Sequence, residues 1–60
     1  MYEKLLKELE ARNISRYELA KLSKISKPDI YNALTGKKPL YPSWRKRIAE
    51  ALGMAEEDLF

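Results

Sequence analysis

The chain has 60 residues and a mass of 7.0 kDa, with 12 Lys and Arg against 9 Asp and Glu, no His and no Cys. One domain, residues 1–60, is expected at this length, and because folding buries only about 60% of the surface of so short an unfolded chain, its core must be compact and helical or else cross-linked. The absence of Cys excludes disulfides, and the absence of both Cys and His removes the usual zinc ligands and the commonest general base, so no catalytic residue, metal or cofactor is expected and the chain reads as a non-enzyme.

Tyr2, Leu5, Leu6 and Leu9 follow the i, i+3, i+4, i+7 spacing of a helix with one buried stripe, and Glu3, Lys4, Lys7, Glu8 and Glu10 fall off it. That first amphipathic helix is interrupted at Asn13-Ile14-Ser15. Ser15 then stands as the N-cap of a second helix, with Glu18 completing a Ser-x-x-Glu capping box. This helix is expected over Arg16 to Ser23, with Leu19, Ala20 and Leu22 turned inward. Ser26 followed by Asp29 repeats the capping pattern, Pro28 belongs in a first turn, and Ile30, Ala33 and Leu34 form the inward face of a third helix that Thr35-Gly36 stops.

Lys37-Lys38-Pro39-Leu40-Tyr41-Pro42 holds two prolines and reads as an ordered connection whose Leu40 tucks under the core, with Tyr41 as a second candidate. Ser43 is expected to cap a fourth helix with the stripe Trp44, Ile48, Ala51 and Leu52, closing at Gly53. Trp44 is assigned to the core. Met54 to Phe60 adds a last turn. No segment alternates with a strand's period of two, so the fold class is all-α, a compact bundle of four to five helices.

The charge is uneven. Residues 1–15 are neutral, residues 16–47 carry nine cations against Glu18 and Asp29, and residues 48–60 hold Glu50, Glu56, Glu57 and Asp58 without a cation. The middle of the chain therefore has a field suited to a polyanion, which its net charge of +3 conceals. A merely solvated, lysine-rich surface is the alternative reading. No run approaches the roughly 20 apolar residues that span a bilayer, and Met1-Tyr2-Glu3-Lys4 lacks the build of a signal peptide, so a soluble cytoplasmic (nucleoid-associated) protein without a membrane partner is expected.

Two short capped helices in succession, the second leading into a basic loop, form the arrangement that places a helix in the DNA major groove. From Leu6 to Phe60 the chain resembles the Cro and phage-repressor type of helix-turn-helix domain, also called XRE or lambda-repressor-like. Ser15-Arg16-Tyr17-Glu18-Leu19-Ala20 matches that family's second-helix opening, and Ile25-Ser26-Lys27-Pro28-Asp29-Ile30 its turn and recognition-helix start. Gly36-Lys37-Lys38-Pro39 matches its basic loop and Ile48-Ala49-Glu50-Ala51-Leu52-Gly53 its fourth helix. The resemblance implies helices two and three as the helix-turn-helix of a lambda-repressor-like bundle. It implies sequence-specific binding of double-stranded DNA by a transcriptional regulator, in that family most often a prokaryotic or phage repressor.

Two positions depart from the family's pattern. Lys24 stands where Gly is common, so it must take a left-handed conformation or the turn differs. Arg16 replaces a frequent Gln and favours a phosphate contact or a forked contact to guanine.

Residues of helix three off the stripe of Ile30, Ala33 and Leu34 are the ones able to meet base edges: Lys27, Pro28, Asp29, Tyr31 and Asn32. Lys27 can donate to guanine O6 or N7 or meet a phosphate nonspecifically, Asn32 can pair with adenine N6 and N7 or stay a solvated surface amide, and the Pro28 ring can touch a thymine methyl or serve helix initiation alone. Asp29 can accept from cytosine N4, but capping the helix is its favoured role. Tyr31 can hydrogen-bond a phosphate or pack on a sugar or methyl edge. Lys37 and Lys38 resemble loop residues that clamp the sugar-phosphate backbone, and Ser15, Lys24, Ser26 and Thr35 are further backbone candidates. Arg45, Lys46 and Arg47 read mainly as surface charge.

One recognition helix addresses too few base pairs to find a genomic site, so a homodimer on a palindromic operator with half-sites one turn apart is expected. Met54, Leu59 and Phe60 supply either the dimer surface or the monomer's core. The competing function is a small helical protein-interaction module using the basic face, or a DNA-binding fragment of a larger regulator. Catalysis ranks last, because Glu56, Glu57 and Asp58 crowd together with no partner base.

Overall fold

The computed structural model describes residues 2–60, and Met1, part of both the domain range and the N-terminal stretch considered above, lies outside them. Five helices follow one another: α1 (Glu3–Ala11), α2 (Arg16–Ser23), α3 (Lys27–Leu34), α4 (Pro42–Leu52) and α5 (Glu56–Leu59). The two capping patterns set the starts of α2 and α3. Ser15 Oγ accepts from the Glu18 amide at 3.1 Å while the Glu18 carboxylate reaches back to the Ser15 amide, closing the box; Ser26 Oγ accepts from the Asp29 amide at 3.4 Å.

Four helices end alike. A left-handed residue, at Asn13 (φ 58°), Lys24 (φ 59°), Gly36 (φ 86°) and Gly53 (φ 67°), lets the next amide reach back to a carbonyl that would otherwise be orphaned. Ile14 bonds to Leu9 O at 2.8 Å, Ile25 to Ala20 O at 3.1 Å, Lys37 to Asn32 O at 2.8 Å and Met54 to Ala49 O at 3.0 Å. Ile25 enters the core and Ile14 and Met54 pack against it, whereas Lys37 stays exposed. The same stop signal therefore folds three connections inward and turns the basic one out.

The left-handed Lys24 carries a Cβ penalty of about 1–2 kcal/mol that glycine escapes, offset by about 0.5–1 kcal/mol of extra chain entropy. Lys24→Gly is accordingly expected to raise Tm by a few degrees in a thermal melt. An unchanged or lower Tm would mean that the lysine side chain compensates for its own backbone.

Leu5, Leu9, Leu19, Ala20, Ile30, Ala33, Ile48, Ala49, Leu52 and Leu59 join Ile25 and Leu40 in one core. α2 packs against α3 and α4, and α5 against α1 and α4; among the helices, α3 packs closely only on α2. Ala20, 2% exposed, gives the close approach of α2. Arg12 ties α1 to the end of α4: its Nη1 donates to Leu52 O at 2.8 Å and its Nε pairs with Glu8 at 3.0 Å, placing a cation on the C-terminal carbonyls.

Several side chains differ from expectation. Leu22 is 51% exposed, because the buried stripe of α2 is centred on Leu19, Ala20 and Ser23 and leaves Leu22 roughly 110° around the helix from its middle. Ser23 is buried instead, its hydroxyl satisfied by Leu19 O at 2.7 Å. Leu6 is 39% exposed for the same reason, Leu5 and Leu9 defining the inward line of α1. α4 starts at Pro42 with Tyr41 as N-cap, two positions before the cap expected at Ser43, since the fixed φ and missing N–H of proline suit a first helical position. Tyr41 stays exposed, its ring edge-on to Trp44 at 4.7 Å, and Trp44 is half-buried against the core.

Candidate nucleic-acid interface

Because α3 leans on a single helix, its outer side is open. Lys27 and Pro28 in its first turn are exposed, Tyr31 is 50% exposed, and Asp29 and Asn32 are half-buried. The capping hydrogen bonds fix where that first turn begins, and the Asn32 carbonyl accepts from the amides of both Lys37 (2.8 Å) and Lys38 (3.1 Å), anchoring the basic loop to the other end. Lys27 in the first turn and Lys37 and Lys38 in the anchored loop thus put cations near both ends of the rod.

Aromatic faces organise those cations. The Lys27 ammonium lies 3.5 Å from the centroid of the Tyr17 ring, with Lys21 at 6.0 Å from the same ring. The Arg16 guanidinium lies 5.5 Å and the Lys37 ammonium 6.0 Å from the centroid of Tyr31. Lys38 Nζ pairs with Asp29 Oδ1 at 3.2 Å. The fold thus joins Arg16, Tyr31 and Lys37 in one group, Lys27 and Tyr17 in a second, and Asp29 and Lys38 in a third, all carried on α2, α3 and the loop that follows.

The remaining candidates sit differently. The hydroxyls of Ser15, Ser26 and Thr35 serve helix ends, Thr35 Oγ1 donating to Tyr31 O at 2.8 Å. Lys24 stands apart from the aromatic groups, lining a shallow concavity with Leu22, Arg47 and Glu50 between α2 and α4. Tyr17 is the residue that the sequence reading passed over. Its signal was present: an aromatic beside Arg16, off the Leu19 and Ala20 stripe, in the most basic segment.

The Ser26 hydroxyl, and after it the Lys38 ammonium, hold the Asp29 carboxyl below the usual aspartate range. A lowered folded-state pKa means that the stabilisation is present above the ordinary aspartate pKa and is lost as pH falls through the folded value. Asp29→Asn is expected to remove that part of the acid dependence, so acid-unfolding curves of the two proteins should converge at low pH and separate above it.

The helix positions, the caps and the basic loop together form a helix-turn-helix over α2 and α3. A family model for the Cro/C1-type HTH DNA-binding domain matches residues 4–60. The chain belongs to that family. Membership in the Cro/C1-type family implies binding of double-stranded DNA in the service of transcription regulation, in a family that is generally non-enzymatic. No curated protein and no solved structure gives a significant match. No helix among the described residues is long and apolar enough to cross a membrane.

Proposed function

We propose that this Cro/C1-type domain reads the DNA major groove with α3 and acts as a repressor, binding a palindromic operator as a homodimer. The observation that carries this reading is the exposure of α3: one helix supports it, while its outer residues lie among Arg16, Lys37 and Lys38. Lys27 and Asn32 take the roles of base donors, to guanine and adenine respectively, and Pro28 meets a thymine methyl. Tyr31 and Arg16 act as a unit at the groove wall. Lys37 neutralises phosphate, with Ser15, Lys24, Ser26 and Thr35 along the backbone track. Asp29 restrains Lys38 and disfavours misplaced phosphates. Repression needs only occupancy of a site that polymerase requires, which a small, tight binder can provide.

Selection from random duplex DNA tests the proposal directly, because it returns the site and its symmetry together. Asn32→Ala is expected to reduce preference at one base pair by about 1–3 kcal/mol, whereas Lys37→Ala should weaken all duplexes alike. Lys37 is the better backbone probe than Lys38, whose removal would also release Asp29. Failure to enrich any sequence, with tight binding to an acidic protein, would favour an interaction module instead.

A further inference from the structure

α2 and α3 exchange cations and rings crosswise. Tyr17 of α2 covers Lys27 of α3 at 3.5 Å, and Tyr31 of α3 covers Arg16 of α2 at 5.5 Å. Neither ring belongs to the core, since Tyr17 is 55% and Tyr31 50% exposed. The α2–α3 crossing beneath them is rigid, set by the buried Leu19, Ala20, Ile30 and Ala33. An exposed tyrosine on a rigid helix, with its face against the ammonium of the first recognition-helix residue, is placed to hold that ammonium still.

We propose that Tyr17 is a positioning residue for Lys27: its ring face fixes the Lys27 ammonium at the first turn of α3 and thereby contributes to sequence selectivity. This rests on the reading of α3 as the groove helix. A lysine on a long flexible stem finds phosphates in many orientations and discriminates little between them. With one side of the ammonium against a ring, its remaining N–H donors point away from the protein from a single place, which is what discrimination of a base edge requires. The ring, rather than the phenolic hydroxyl, carries this role.

The test compares Tyr17→Phe, which keeps the ring, with Tyr17→Leu, which removes it from an exposed position where folding does not depend on it. In the free protein, the Lys27 ε-methylene protons are expected upfield, from the ring current, in wild type and Tyr17→Phe, and near their ordinary position in Tyr17→Leu. In binding, the ratio of affinities for the selected duplex and a scrambled one should persist in Tyr17→Phe. It should fall about two- to fivefold in Tyr17→Leu, with scrambled-duplex affinity unchanged. In a Lys27→Ala background, Tyr17→Leu should have no further effect on the ratio. Unshifted Lys27 protons in wild type overturn the clasp alone. An undiminished ratio in Tyr17→Leu, an equal loss in Tyr17→Phe, or a further loss without Lys27 overturns the positioning role while leaving α3 as the groove helix. A wild-type protein that prefers no duplex overturns the groove reading and the selectivity role together, and the proton shift still reports whether the clasp exists.

Discussion

Truncation of Leu59 to Ala is expected to lower Tm by about 10 °C or more, the largest stability effect anticipated for a single change near the C-terminus. Leu59 is fully buried although it belongs to a helix of four residues, too short to persist by itself. α5 exists because Leu59 enters the space between α1 and α4, and Phe60 then rests edge-on to Tyr2 at 6.2 Å. Losing a buried leucine costs about 2–5 kcal/mol, against a total stability of about 3–9 kcal/mol for a chain of this length. Urea or thermal unfolding measures the loss. A variant that melts like wild type but no longer self-associates would place Leu59 in a dimer interface and contradict the buried position described here.

Affinity for DNA is expected to fall steeply with salt, and the steepness counts the copies bound. If Arg16, Lys24, Lys37 and Lys38 each neutralise one phosphate, the affinity of one copy should drop about 10²-fold between 50 and 200 mM salt, and that of a pair about 10⁴-fold. Titrations at several salt concentrations, on the selected site and on a half-site, separate the two cases. The slope on a scrambled duplex should stay close to that on the selected one, because phosphate contacts carry no base information. A shallow dependence on every duplex would remove the electrostatic basis of the interface.

The ion pair between Asp29 and Lys38 bears on that slope. It joins the first turn of α3 to the basic loop that follows the helix, nine residues apart in sequence. Lys38 must leave Asp29, or share it, to neutralise a phosphate. Its contribution to the slope should therefore be smaller than that of Lys37 until Asp29 is changed to Asn.

The sequence by itself determined the local events of this fold. Ser15 with Glu18, Ser26 with Asp29, Pro28 in a first turn, Gly53 at a helix end and the left-handed demand on Lys24 are all interactions within a few residues, so their pattern is legible without knowing the partner surfaces. The motifs of the helix-turn-helix were legible for the same reason, and with them the family and most of the candidate site. Only the tertiary structure decided which flank of each apolar stripe meets another helix, and it turned Leu22 and Leu6 outward while drawing Leu59 in. It alone brought Tyr17 to Lys27, Arg16 to Tyr31 and Asp29 to Lys38. Helical periodicity reports a side chain's direction around its own axis, but burial and long-range pairing depend on the surface that arrives from elsewhere in the chain.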